Sequence, residues 1–144
     1  MISYSNFKII PDKKLIIEYF SGKIELKDIL ELKRRESIEK EYNSNFNIID
    51  DSRDAEFLLN QNEISTYVNH IINNKLINGK RNAAYLTKTP NQVVIATLFD
   101  MLKKELPINV KIFSTVEVAM NWLELSEEDK KLVEFYLEEL RKHN

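Results

Sequence analysis

The side chains best able to do chemistry in this chain stand together at positions 50–54, where Asp50, Asp51, Ser52, Arg53 and Asp54 follow the apolar pair Ile48-Ile49. Carboxylates, a hydroxyl and a guanidinium at the point where a short strand runs out would face the crevice at a sheet end, the usual place for a small ligand. The same residue types also make an ordinary turn with an exposed rim. Two further groups hold equivalent positions, Thr87-Lys88-Thr89 and Ser114-Thr115. Each follows a strand-like run and precedes a helix whose free backbone donors can hold an anion.

One arrangement of these groups is enzymatic. Asp50 and Asp51 would hold a magnesium-like cation, for which hard oxygens are suited, while Lys88 and Ser114 meet a phosphate. The signature Asp-x-Asp-x-Thr of aspartate-based phosphoryl transfer is absent, and turn and cap roles account for most of the residues. Thr89 and Ser114 read as helix N-caps, and Ser52 is the one candidate for regulatory phosphorylation. His70 falls in a helical pattern and His143 near the last residue, so no histidine-based acid–base couple is visible. Gly22 and Gly79 are isolated, which removes glycine-rich phosphate loops, and the lack of cysteine removes thiol chemistry and disulfides. No catalytic residue, metal or cofactor is assigned, and the chain reads as a non-enzyme.

The elements that must position these groups follow from periodicity and punctuation. Phe7-Lys8-Ile9-Ile10 and Leu15-Ile16-Ile17-Glu18-Tyr19-Phe20 are strand-like runs joined by the turn composition Pro11-Asp12-Lys13-Lys14, an opening hairpin ended by Ser21-Gly22. Residues 25–41 predict a first helix, with Leu26, Ile29, Leu30 and Ile38 toward one side, and residues 46–49 a short strand. Asn60 with Glu63 signals the start of a second helix carrying Ile64, Tyr67, Val68, Ile71, Ile72 and Leu76 as one apolar stripe. Strand 83–86 precedes a third helix over residues 90–105, opened by Thr89-Pro90 with Gln92 at the capping-box position. Strand 110–113 leads to a short helix capped by Ser114 with Glu117, and Trp122 there reads as core. Ser126 with Asp129 opens a last helix bearing Leu132, Val133, Tyr136, Leu137 and Leu140. Phe135 lies off that stripe and offers a second apolar edge to a homodimer partner.

The expected fold is therefore a single α/β domain: a mixed, mostly parallel sheet opened by a β-hairpin and covered by helices, with an extra C-terminal helix. The domain spans residues 1–125, and the helix over 126–144 packs on it or on a second subunit. A chain of 144 residues, 43% hydrophobic and 31% charged, can bury its own core. The net charge of -2 disfavours nucleic acid, and Lys33-Arg34-Arg35, set among Glu31, Glu36 and Glu39, reads as a solvated helix face. Residues 1–6 lack a basic segment followed by an apolar run, and no stretch suits membrane insertion, so a cytoplasmic bacterial location is expected.

Several segments resemble a known family. They are Tyr4 with Pro11-Asp12 before a strand, Phe20-Ser21-Gly22-Lys23-Ile24, the run from Ile49 through Asp54, and Val110-Lys111-Ile112-Phe113 with Ala119-Met120-Asn121-Trp122-Leu123. Together they resemble STAS-like proteins related to the sporulation anti-sigma-factor antagonists (SpoIIAA-like), in the subgroup grouped with CRAL-TRIO-like lipid-binding folds. The resemblance implies a regulatory module without enzymatic activity that binds a protein partner or small ligand, sometimes switched by phosphorylation. It also raises an apolar-ligand reading in which the terminal helix acts as a lid. The Asp-Ser-Ser-Gly-Leu-type phosphorylation motif of the antagonists is replaced by Leu58-Leu59-Asn60-Gln61-Asn62-Glu63-Ile64-Ser65-Thr66.

Overall fold

In the computed structural model, which describes residues 2–103 and 105–143, the chain forms a five-stranded sheet in the order β1-β2-β3-β4-β5. β1 (Tyr4–Ile10) and β2 (Leu15–Ile24) make the antiparallel hairpin, joined by a 3-10 turn at Pro11–Lys13 and closed by Lys14 in the left-handed region. From β2 onward the strands β3 (Asn47–Phe57), β4 (Arg81–Leu86) and β5 (Ile108–Phe113) pair in parallel. The helices α1 (Leu26–Ser37), α2 (Gln61–Ile72) and α3 (Pro90–Leu102) are their crossovers. Each crossover advances one strand in the same direction, so a common right-handed sense puts all three helices on one face of the sheet. The opposite face is left for α4 (Val116–Trp122) and α5 (Glu127–Lys142).

Strand alternation divides the core accordingly. Leu15, Ile17, Tyr19, Ile49, Ala84 and Leu86 pack with Met120, Val133, Leu137 and Leu140 of α4 and α5. Ile16, Ile48 and Ala83 pack with Ile64, Val68, Ile71 and Phe99 of α2 and α3, and Phe20 packs with Ile29 and Leu32 of α1.

Two strands run further than the sequence predicts. β2 does not break at Ser21-Gly22; Gly22 takes a φ of +77° and a Cβ there would sit 2.2 Å from the Ile2 carbonyl oxygen, so the glycine serves a close crossing. β3, expected over 46–49, continues through Phe57, and residues 50–54 are strand, not loop. A bulge sits within it: Tyr19 faces Asp51 and Ser21 faces Asp54, so Ser52 and Arg53 together oppose Phe20. β4 stops pairing at Asp51, and beyond that point side chains of α3 take over the bare edge of β3. Asn91 accepts from the Phe57 N–H at 2.8 Å and donates to its carbonyl at 3.0 Å, while Gln92 donates to the carbonyls of Arg53 and Ala55 at 3.0 and 2.8 Å.

The helices show smaller departures. α1 ends at Ser37, Ile38 is 68% exposed, and its buried face is Ile29, Leu32, Lys33 and Glu36. α2 ends at Ile72, so Ile72 and Leu76 fall outside the buried stripe. The capping boxes at Asn60/Glu63 and Thr89/Gln92 are formed. The cap of α4 is Thr115, which accepts from the Val118 N–H, and not Ser114, which is exposed. Ser126 caps α5, whose apolar stripe is buried on the sheet, while Phe135 is 55% exposed.

Candidate functional site

Because residues 50–52 are regular strand, alternate side chains leave the sheet on opposite faces, and the acidic group is divided between two sites. Asp50 and Ser52 point into the space under α1, α2 and α3. Asp51 and Asp54 join Arg141 of α5 on the other face. The sheet thus separates Asp50 from Asp51, and the two cannot share one cation as the enzymatic reading requires. Among the described residues, no group of three or more carboxylate or histidine side chains is arranged to hold a metal ion.

On the α5 face the geometry is a rim network. Arg53 grips Asp51 through two nitrogens at 2.8 and 2.9 Å. Arg141 reaches Asp54 at 3.1 Å and Asp51 at 3.4 Å, and the Tyr19 hydroxyl donates to Asp54 at 2.6 Å. Burial pushes the Asp54 carboxyl up, but the Tyr19 hydrogen bond and the Arg141 charge outweigh it and hold the group below its ordinary value. Arg53, Asp54, Lys88, Ser114 and Arg141 surround an open cleft of about 460 Å³. Three of the sequence-predicted site residues besides Arg53 and Asp51 therefore do meet at one rim: Asp54, Lys88 and Ser114. Arg141 was not among the expected residues. Its place could be read only from α5 folding back over the sheet, since it is far from residues 50–54 in the chain.

The remaining predicted residues belong elsewhere. Thr87 and Ser52 line the interior cavity, Thr115 is a helix cap, and Asp50 lies at the center of a buried charge cluster. Ser52 is 3% exposed and donates its hydroxyl to Asp50, so it is closed to a kinase in the folded protein, correcting its reading as a phosphorylation site. His70 is exposed on α2, and Trp122 is partly buried against Phe113.

The charge cluster lies where three expectations fail together. Lys33, read as part of a solvated basic run, is 8% exposed and donates to Glu18 at 2.6 Å. Glu36 is fully buried, 3.8 Å from Lys33, and shares a hydrogen bond with Glu18. Only Arg34 of that run is exposed, paired with Glu31; Arg35 donates to the carbonyl and hydroxyl of Ser5. Burial pushes Glu18 up, but the Lys33 ammonium and hydrogen bonds from Glu36, Lys33 and Asp50 bring it down to about 2. Burial and the Glu18 charge push Glu36 and Asp50 well above ordinary carboxylate values. The cluster thus holds one close ion pair, Glu18 with Lys33, and two carboxyls pushed toward their neutral form. The signal was present in the sequence: Glu18 shares strand parity with Ile16 and Phe20, so an interior cation had to exist for it.

The cavity beside this cluster measures about 50 Å³ and is bounded by Glu18, Lys33, Asp50, Ser52, Tyr67, Tyr85, Thr87 and Gln92 at its polar end. Phe20, Ile29, Phe57, Ile95 and Phe99 line the rest. Tyr67 and Tyr85 are both pushed up by burial and the neighbouring carboxylates, so their hydroxyls stay protonated. The terminal helix lies on the other face of the sheet, so it is not a lid over this space.

No family model matches the sequence, and no curated protein matches it. Among solved structures, the chain is similar to an uncharacterized protein of the DUF3478 family with a SpoIIAA-like fold from Shewanella loihica PV-4. The TM-score is 0.58 at 12% identity, over 85% of this chain and 96% of that one. The fold is SpoIIAA-like, as the sequence resemblance implied. No helix among the described residues is long and apolar enough to cross a membrane.

Proposed function

We propose that this SpoIIAA-like domain is a non-enzymatic binding module of STAS-like type that recognises an acidic group of a protein partner or small ligand at the rim cleft. The observation that carries this reading is the meeting of Arg53, Lys88, Ser114 and Arg141, from the bulge of β3, the ends of β4 and β5 and the terminal helix, around one open cleft. Arg53 and Arg141 are held in place by Asp51 and Asp54, which fixes the direction of their remaining N–H donors. Lys88 is exposed and makes no ion pair among the described residues, so its charge is available to a ligand. Binding fits this cleft better than catalysis, because Asp51 and Asp54 are both taken up by arginines as ion-pair partners.

Amide NMR titration of the whole chain with inorganic phosphate and with an acetylated peptide of alternating Asp and Glu tests this. Saturable shifts at the Lys88 and Ser114 amides are expected, and in Lys88→Glu they weaken by roughly tenfold or more, as reversal of a contacting charge requires. Linear, non-saturating shifts for both probes, or shifts unchanged in Lys88→Glu, would sink the reading.

A further inference from the structure

α2 and α3 lie side by side on the sheet, and their composition sets them apart from the other long helices. More than half of the residues of α1 and of α5 are charged, whereas α2 and α3 together carry only the carboxylates Glu63 and Asp100 and no lysine or arginine. α3 is apolar on both sides. Toward the sheet it buries Ala96 and Phe99 with Gln92. Toward solvent it presents Pro90, Val93, Val94, Thr97 and Met101, with Val94 53% and Met101 70% exposed. Those positions recur at the three-and-four spacing of a single stripe, on the side where a surface helix keeps its charges. Asp100, at the margin of the stripe, is taken up by Lys103 at 3.3 Å, and Asn62, Thr66 and Asn69 continue the uncharged surface onto α2.

We propose that the outer face of α2 and α3 is the contact surface of a homodimer, with a second copy of this chain packed on it across a two-fold axis at Thr97. α3 then runs antiparallel to its counterpart, and Val93 of each copy meets Met101 of the other. A helix that is apolar all round is a helix that something covers. The missing charge identifies the cover. A two-fold contact sets a patch against itself, so a charged face repels its own copy and an uncharged one does not. An anionic lipid surface or an acidic protein would call for lysine or arginine, which neither helix carries. A basic partner would call for free carboxylates, and Asp100 is already paired.

The size of the face agrees. Helices of 12 and 13 residues are each about 20 Å long, and packed about 10 Å apart they present a face about 20 Å on a side. Side-chain relief roughly doubles that flat area, which brings it to the ~800 Å² that each partner of a standard interface buries. Phe135 of α5, the other exposed apolar site considered for self-association, stands among the exposed charges of Lys131, Glu134 and Glu138 and is a single residue, not a face. No residue of the α2 and α3 face lines the rim cleft, so the two surfaces serve independently.

Sedimentation velocity of the whole chain is expected to show a mass that rises with concentration from one chain to two, with a midpoint in the micromolar range. Thr97→Lys sets two ammonium groups against each other at the axis and is expected to weaken association by about tenfold or more, as is Met101→Lys near the end of the stripe. Both positions are exposed, so both variants are expected to keep the circular dichroism of the unaltered chain. An equimolar mixture of Thr97→Lys and Thr97→Glu is expected to recover association, since a two-fold contact at this residue brings it against itself. Phe135→Lys is expected to leave association unchanged. The mass of one chain up to about millimolar concentration overturns the proposal. So does association that Thr97→Lys and Met101→Lys leave intact, or that Phe135→Lys abolishes, since either puts the contact elsewhere. Flotation of the chain with phosphatidylcholine vesicles in place of self-association would make the face a lipid contact and overturn it as well.

Discussion

Glu18, Lys33, Glu36 and Asp50 give opposite signs to the pH dependence of stability, and the direction of each follows from its place in the cluster. Glu18 is held near 2, below its ordinary 4.5, so its contribution is present above the ordinary value and lost as pH falls toward 2. Glu36 and Asp50 are raised above 4.5 and 3.8, so the folded chain keeps protons that the unfolded chain has released. Their contribution is fully present below those ordinary values and is lost as pH rises through the raised ones. Urea unfolding from about pH 5 to about pH 8 is therefore expected to show a falling midpoint. Glu36→Gln, which replaces a titrating acid with an amide that can still donate to Glu18, is expected to flatten that decline and to be the more stable chain at neutral pH. A midpoint that rises across this range, or the same slope in both chains, would contradict the assignment. At the same scale, Lys33→Met removes the cation paired with Glu18 and is expected to cost about 3–5 kcal/mol by chemical denaturation, the usual result of stranding a buried charge. A loss below about 1 kcal/mol would show that Glu18 finds another donor or takes up a proton.

Among the elements, β3 and α3 depend on each other. The edge of β3 beyond Asp51 has no strand partner on the β4 side, and the first turn of α3 supplies the missing bonds through Asn91 and Gln92. Gln92 also accepts from the N–H groups of Lys88 and Thr89, so one side chain ties the helix start to the bulge that aims Arg53. The helix caps give a test by contrast. Thr89→Ala removes the N-cap of α3 and is expected to cost about 1 kcal/mol, whereas Ser114→Ala, outside any cap, stays within about 0.5 kcal/mol. Equal losses in thermal unfolding would refute the assignment of Thr115 as the cap of α4. The caps of α2, α3 and α5 were legible because the capping box is a pattern of four neighbouring residues. The end of β3 was not, because polar residues at a strand end and polar residues on a bulged strand have the same local composition.

At the scale of the whole molecule, the sheet is a partition with different chemistry on each side. The α4–α5 side is an apolar core closed at its rim by the Asp51, Asp54, Arg53 and Arg141 network, and the α1–α3 side holds an interior ion pair beside a small cavity. Because α5 contributes Val133, Leu137 and Leu140 to the first of these cores, it belongs to the folded unit. Leu137→Ala is expected to cost about 2–5 kcal/mol in denaturant unfolding. A loss of only a few tenths of a kcal/mol would mean that α5 packs loosely and that Arg141 does not reach the rim as a fixed group. The sequence by itself determined the order of strands and helices, the opening hairpin, the parallel βα units and most of the helix starts, since each rests on periodicity or punctuation within a few residues. Only the tertiary structure decided what the acidic group at 50–54 is. Once β2 carries β3 past its expected end, adjacent side chains must leave on opposite faces. Asp50 is then committed to the interior with Glu18 and Lys33, and Asp51 to the rim with Arg53 and Arg141. Which partners a charge meets depends on register and crossover hand, and neither is encoded in the residues beside it.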